Sequence, residues 1–130
     1  MNKKYDVKRS YFGRYKKPNG ISIARGMPKG WDLKRCIPEL FPTWAMIKGK
    51  LGHDEFTRQY HKYVLDKLDP YKILEKANGM VMLCWETPDK FCHRETVANW
   101  IEKETGIVVP EFSFEFDNKP KEIEQLSLIE

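Results

Sequence analysis

The sequence predicts a small three-layer α/β domain with a mostly parallel sheet and helices on both faces. Residues 80–85 form a continuous apolar run, which is typical of a strand buried on both faces. Segments whose apolar residues recur at helical spacing separate this run from other strand-like segments, as in a βαβ unit. We expect one domain over residues 1–116, followed by a polar tail over residues 117–130.

Two strands and a loop are predicted near the start of the chain. Residues 5–12 and 21–24 have the composition of short strands, and a basic turn containing a Pro-Asn-Gly sequence separates them. Residues 25–30 follow with two glycines and a proline. Because glycine has no side chain, the backbone of this loop can approach a ligand closely.

Three helices are predicted next. The first spans residues 38–50, the second runs from the N-cap Asp54 to about residue 67, and the third begins at Asp69-Pro70. The apolar side of the first helix is formed by Leu40, Phe41, Trp44 and Ile47. The buried face of the second helix is formed by Phe56, Tyr60, Tyr63, Val64 and Leu68.

A fourth helix is predicted soon after the apolar strand. Glu95 lies in its first turn and Gly106 is placed to end it. Residues 107–109 are predicted to form another buried strand. Residues 111–116 alternate between polar and apolar types, which indicates an extension of that strand at the sheet edge.

The predicted site lies where the apolar strand ends and the fourth helix begins. In open α/β sheets ligands bind outside the carboxyl ends of the strands, and a helix N-terminus favours anions. This junction contains Glu86 and the tripeptide Cys92-His93-Arg94. We predict Glu86, Cys92 and His93 as catalytic residues and Arg94 as a phosphate ligand.

Each of these residues also has a structural interpretation. Cys92 is either a thiolate activated by its surroundings or a small buried residue. Arg94 either holds a phosphate or forms an ion pair with Glu86 or Asp89. Glu86 either joins His93 in acid–base chemistry or only neutralises an arginine.

The N-terminal part of the chain is strongly basic. Residues 1–50 contain thirteen Lys and Arg against three acids, a balance of +10, so the net charge of +4 leaves −6 for the rest. Aromatic residues are interspersed, and this mixture suits a phosphate backbone with unstacked bases. We predict Tyr11, Ser22 and Arg25 as nucleic-acid or phosphate contacts. The alternative is a solvated basic surface over an aromatic core.

The cysteines indicate a reducing compartment. Cys36, Cys84 and Cys92 are odd in number and lack the spacing of a disulfide framework. A zinc site would combine Cys84, Cys92 and His93 with Cys36 or His53, but no Cys-x-x-Cys sequence is present. We therefore expect Cys84 in the core, no metal and no cofactor.

The sequence predicts a cytoplasmic protein without membrane contact. No apolar run approaches the roughly 20 residues that a transmembrane helix requires. The N-terminal residues do not lead into the apolar region of a signal peptide.

The segment LCWETPDKFCHRETVANWI at residues 83–101 resembles the signature of a bacterial and phage family, domain of unknown function family 488. Its features are a strand, a Cys-x-Glu turn and a Cys-His-Arg tripeptide that starts a helix. SYF at residues 10–12 and SIARG at residues 22–26, with Pro28, are also similar to that family. The resemblance covers most of residues 5–112. It implies a small intracellular α/β domain, and it implies no particular reaction.

The end of the chain resembles the short peptide with which bacterial polymerases and repair proteins bind the replicative sliding clamp. Residues Gln125, Leu126, Leu128 and Ile129 match its glutamine and apolar positions, with Ile129 in place of an aromatic residue. Such a peptide would place its apolar side chains in a pocket of the clamp. The alternative is a last helical turn packed on the domain.

The combined signals favour a protein that acts on nucleic acid or nucleotides, in the manner of a DNA-processing or repair-associated enzyme recruited to the sliding clamp. Two alternatives stay open at this point. One is a phosphate-binding or nucleotide-binding module without catalysis, and the other is a cysteine-dependent enzyme that acts on small molecules.

Overall fold

The protein contains a three-stranded parallel sheet. The computed structural model describes residues 5–85 and 92–112 of the chain. Within these residues the strands are β1 (Lys8–Tyr11), β2 (Gly20–Ser22) and β3 (Val81–Cys84). Their order is β1-β3-β2, so β3 lies in the centre, and all four of its residues are buried. A continuous apolar run is what such a position requires, and the predicted α/β class is confirmed.

Both edges of the sheet are extended by a single bridge. Cys36 bridges Ser22 in parallel, and Ser22 donates its backbone N–H to the Arg35 carbonyl at 2.8 Å. On the opposite edge Glu111 bridges Arg9 in parallel. These bridges cover the open strand edges, and the second one holds Glu111 beside β1.

The prediction of a buried strand over residues 107–109 is wrong. Gly106 has φ +79° and turns the chain out of the last helix, and Val108 is 61% exposed. Pairing with the sheet starts at Pro110, whose carbonyl accepts a hydrogen bond from the Arg9 N–H at 3.0 Å. Only the first two positions of the predicted edge extension, Glu111 and Phe112, fall within the described residues.

The helices are α1 (Trp44–Lys48), α2 (His53–Tyr63), α3 (Pro70–Ala77) and α4 (His93–Thr105). Short 3₁₀ turns occupy Pro38–Leu40 and Leu65–Lys67. No helix in residues 5–85 and 92–112 has the length and apolar character needed to cross a bilayer.

The first predicted helix is only partly correct. Pro42 interrupts it because proline has no N–H to donate, and Thr43 then caps α1 by accepting a hydrogen bond from the Met46 N–H at 3.1 Å. The predicted apolar side is correct at Leu40, which is fully buried, but wrong at two other positions. Trp44 is 58% exposed and Ile47 is 45% exposed, whereas Met46 is buried.

The second and third helices are closer to the prediction. Helix α2 is capped by Gly52 instead of Asp54, and Tyr63 on its predicted buried face is exposed. Helix α3 begins as predicted, because Asp69 accepts a hydrogen bond from the Tyr71 N–H at 2.9 Å.

Helix α4 contacts β1 and β3, and α3 contacts α4. Cys92 is the N-cap of α4, and Gly106 ends it in the left-handed conformation as predicted. The side of α4 that faces the sheet is buried, including the charged residue Arg94. Helix α4 therefore begins at the carboxyl end of β3, where the sequence predicted a site.

Candidate functional site

A cavity of about 390 Å³ opens at the carboxyl ends of β2 and β3. Pockets for small molecules usually measure about 300–1,000 Å³, so this volume suits one small ligand. The cavity is lined by Ala24, Arg25, Gly26, Pro42, Ile47, Leu51, Phe56, Cys84, Trp85, Cys92 and His93. It joins the loop after β2, the end of β3, the α1–α2 region and the start of α4.

Arg25 supplies a positive charge to the cavity wall. Its Nε donates a hydrogen bond to the Pro42 carbonyl at 2.9 Å. The guanidinium lies over two rings, 5.0 Å from the Trp44 centroid and 5.6 Å from the Phe41 centroid. Among the described residues no carboxylate forms an ion pair with Arg25. Its orientation is therefore fixed by neutral groups, and its charge is not neutralised by them.

Trp85 places an indole at the edge of the cavity. Its Nε1 donates a hydrogen bond to the Gly26 carbonyl at 2.7 Å, and its ring packs against Phe12 with centroids 4.7 Å apart. The side chain is nevertheless 51% exposed. An anchored and half-exposed aromatic ring offers a surface on which a planar ligand can stack.

His93 is buried at the inner end of the cavity with a defined tautomer. Its Nε2 lies 2.7 Å from the Ile23 carbonyl oxygen. Because a carbonyl only accepts hydrogen bonds, Nε2 carries the proton and Nδ1 is left with a lone pair. Nδ1 is 3.8 Å from the Cys92 Sγ. Burial lowers the pKa of His93 to about 4, so the imidazole is neutral near pH 7.

Cys84 and Cys92 are joined by a disulfide bond. This finding corrects the expectation of unpaired cysteines, which was based on their odd number and spacing. The end of β3 and the start of α4 converge at the site. The Cα atoms of Cys84 and Cys92 are 7.0 Å apart, and the two residues are separated by eight positions in the sequence. Cys36 is the free cysteine, and the pKa of its thiol is raised by burial and by Glu39 and Asp32.

The sulfur atoms of the two cysteines and a ring nitrogen of His93 lie within 4.8 Å of one another. Zinc prefers such ligands, but a structural zinc site has four of them. Within residues 5–85 and 92–112 neither Cys36 nor His53 joins this group. Arg94 also donates a hydrogen bond to the Cys84 Sγ, which disfavours a second cation at that sulfur.

Arg94 does not line the cavity. Its Nη2 donates a hydrogen bond to Glu111 Oε2 at 3.0 Å, and its Nη1 donates to the Cys84 Sγ at 3.2 Å. The side chain is 3% exposed. The sequence suggested Glu86 or Asp89 as the ion-pair partner of Arg94 and did not suggest Glu111. The sheet bridge brings Glu111 beside the buried face of α4, a contact that sequence spacing does not reveal.

Ser22 and Tyr11 also lie outside the cavity lining. The Ser22 hydroxyl is fully buried and exchanges hydrogen bonds of 3.1 Å with the backbone N–H and carbonyl of Ala24. The Tyr11 ring centroid is 5.7 Å from the Arg94 guanidinium. Of the four predicted phosphate and nucleic-acid contacts, Arg25 alone lines the cavity, together with the predicted catalytic residues Cys92 and His93.

The remaining predicted residues lie outside the part of the chain that the structure describes. They are Glu86, Gln125, Leu126, Leu128 and Ile129. Their roles stay predictions from the sequence.

Sequence reasoning did not identify Cys84 and Trp85 as site residues. Both were assigned to the buried strand because the apolar run extends to residue 85. Their position at the carboxyl end of that strand was the available signal, since side chains at strand ends face the ligand side of an open α/β sheet.

Comparison of the chain with protein-family models, curated proteins and solved structures found no match. The resemblance to family 488 therefore stays a prediction.

Proposed function

We propose that the protein is a nucleic-acid-directed or nucleotide-directed protein of the cytoplasm whose cavity binds a phosphate-bearing nucleotide. The observation that carries the proposal is the position of Arg25 in the cavity wall without a carboxylate partner among the described residues. A guanidinium fixed by a carbonyl and two aromatic rings can donate charge-assisted hydrogen bonds to a phosphate with little further loss of entropy.

The aromatic rings near Arg25 favour a ligand that also contains a planar base. Trp85 and Trp44 are both more than half exposed, and Trp85 lines the cavity. Stacking of a base on an aromatic ring contributes about 1–3 kcal/mol. The apolar wall at Ile47 and Phe56 would reduce the contact of a bound ligand with water and so strengthen polar contacts at Arg25.

A polymer would extend from the cavity over α1. The Nζ of Lys48 lies 5.8 Å from the centroid of the Trp44 ring, and both Trp44 and Ile47 of α1 are exposed. Exposed rings flanked by cations suit a single strand better than a duplex, because duplex bases are already stacked. Recruitment by a sliding clamp rests only on the sequence of residues 125–129.

The geometry supports binding more strongly than catalysis. Cys92 is bonded to Cys84, so its sulfur is not a free nucleophile in this state. The lone pair of His93 faces the Cys92 sulfur at 3.8 Å. A nucleotide-binding module is thus the minimal form of the proposed function.

The proposal is tested by binding titrations at two salt concentrations. The ligands are a labelled single-stranded oligonucleotide, a duplex of the same sequence and a nucleoside monophosphate. Arg25→Gln should weaken binding by about tenfold to a hundredfold, since a hydrogen bond to a charged group contributes about 1.5–3 kcal/mol. Arg58→Gln is the matched control, because it removes one positive charge outside the cavity lining. Equal weakening by both variants, or no binding at low salt, would contradict the proposal.

A further inference from the structure

We propose that Cys84 and Cys92 form a redox-active pair that undergoes thiol–disulfide exchange with small thiols entering the cavity. This proposal does not rest on nucleotide binding, although both ligands would enter the same cavity. Both cysteines line the cavity, so a small molecule in it can reach their bond. Thiol–disulfide exchange depends on access of a thiolate to a disulfide sulfur, and the cavity provides that access.

The two sulfurs differ in their access to the cavity. Cys92 is 8% exposed, whereas Cys84 is 1% exposed and lies in the central strand. An incoming thiolate therefore attacks the Cys92 sulfur, and Cys84 is the leaving group.

Arg94 is positioned to stabilise that leaving group. Its Nη1 donates a hydrogen bond to the Cys84 Sγ at 3.2 Å, and its Nη2 is held by Glu111 at 3.0 Å. A guanidinium stabilises a thiolate far more than it stabilises the neutral sulfur of a disulfide. Groups that stabilise the reduced form raise the reduction potential of the pair and make the disulfide easy to reduce.

The surroundings of Cys92 also stabilise the reduced form of the cysteine pair. Cys92 is the N-cap of the 13-residue helix α4, and its side chain makes no capping hydrogen bond. The free N–H groups of the first helical turn stabilise negative charge on its sulfur. In the reduced pair, the Nδ1 lone pair of His93 can accept a hydrogen bond from the Cys92 thiol.

The exchange proceeds in two balanced steps. A thiolate RS⁻ forms a bond to the Cys92 Sγ while the bond to Cys84 breaks, and the electron pair moves onto the Cys84 Sγ beside Arg94. A second thiolate attacks the sulfur of R in the mixed disulfide and releases Cys92 as a thiolate. Two RSH are thereby oxidised to RSSR, and the cysteine pair gains two electrons and the two protons.

The redox proposal is tested by incubating the wild-type protein in glutathione buffers of graded composition. Free thiols are then alkylated and identified by mass spectrometry. We expect one alkylated cysteine, Cys36, in oxidising buffer and joint alkylation of Cys84 and Cys92 as reduced glutathione increases. A bond that persists in excess thiol would be structural and would overturn the proposal. Two thiols that never pair, or that become reactive only after zinc is chelated, would also overturn it.

The role of Arg94 as a positioning residue has a matched control. In Arg94→Met, half-reduction of the cysteine pair should require a buffer that is about tenfold more reducing, because the Cys84 thiolate loses its charged hydrogen bond. Arg9→Met also removes a cation paired with Glu111, and among the described residues Arg9 donates no hydrogen bond to either cysteine sulfur. An unchanged midpoint in Arg94→Met would assign Arg94 a structural role only. The wild-type titration decides the redox proposal even if Arg94→Met does not fold.

Discussion

Two arginines were predicted to bind phosphate, and they occupy opposite environments. Arg25 lies in the cavity wall, where a carbonyl and two aromatic rings hold it and no described carboxylate pairs with it. Arg94 is on the buried face of α4, where it forms an ion pair with Glu111 and donates a hydrogen bond to the Cys84 sulfur. The charge of Arg25 is available to a ligand, whereas the charge of Arg94 is used within the protein.

The difference shows that position near a helix N-terminus does not by itself make a cation available to a ligand. An ionised group in the interior requires a partner, because desolvation of an unpaired charge is costly. Arg94 meets this requirement with Glu111. Arg25 avoids it because its side chain is only partly buried. Removing each arginine should therefore affect different properties of the molecule.

The largest expected effect is on stability in Arg94→Met. Removing one partner of a buried ion pair destabilises a protein by about 3–5 kcal/mol, because the other charge is left without compensation. We expect a value at the lower end of this range, since Arg9 still contacts Glu111 at 3.3 Å. Urea unfolding measures the change. Arg58→Met removes an exposed ion pair that water screens, so its free energy of unfolding should be almost unchanged.

The next effect is the pH dependence of stability. The pKa of His93 is about 4 in the folded protein against an ordinary 6.5, so below pH 6.5 the unfolded chain binds a proton more readily. The contribution of His93 to the free energy of unfolding is fully present above pH 6.5. It is lost as the pH falls towards 4, and the total loss is about 3 kcal/mol. His93→Gln should flatten that part of the curve measured by urea unfolding. The same flattening in His61→Gln would contradict the assignment.

A smaller effect on stability is expected for Arg25→Gln. The variant loses one hydrogen bond to the Pro42 carbonyl and the contacts with two rings, which together contribute about 1 kcal/mol. The Tm should thus fall by only about 3–5 °C, while nucleotide binding is weakened. A loss of stability as large as that of Arg94→Met would contradict the contrast between the two arginines.

The smallest effect is expected for Trp85→Phe. The ring contact with Phe12 is retained, but the hydrogen bond to the Gly26 carbonyl is lost at a partly exposed site. We expect a destabilisation below about 1 kcal/mol, measured by thermal unfolding. Binding of a nucleotide should weaken only slightly, because a phenyl ring still offers a stacking surface.

The sequence predicted the parts of the fold that depend on local signals. Asp69-Pro70 starts α3 and Gly106 ends α4 because capping and backbone conformation are properties of adjacent residues. The buried strand β3 followed from its continuous apolar composition. The location of the cavity followed from the end of that strand and the start of α4.

The parts that failed depend on contacts between distant segments. The disulfide between Cys84 and Cys92 and the ion pair between Arg94 and Glu111 require the folded arrangement of β3, α4 and the sheet edge. Spacing in the sequence does not encode these distances. Trp44 was expected on a buried face but is 58% exposed, because helical periodicity does not reveal whether another segment covers an apolar face.

The most direct test of the proposed nucleotide site is calorimetric titration of wild-type protein, Arg25→Gln and Arg58→Gln with a nucleoside monophosphate and with the nucleoside that lacks the phosphate. We predict that the wild type binds the monophosphate more tightly than the nucleoside, and that Arg25→Gln alone loses this preference. Equal affinities of the wild type for the two ligands, or a preference that survives in Arg25→Gln, would contradict the role proposed for Arg25.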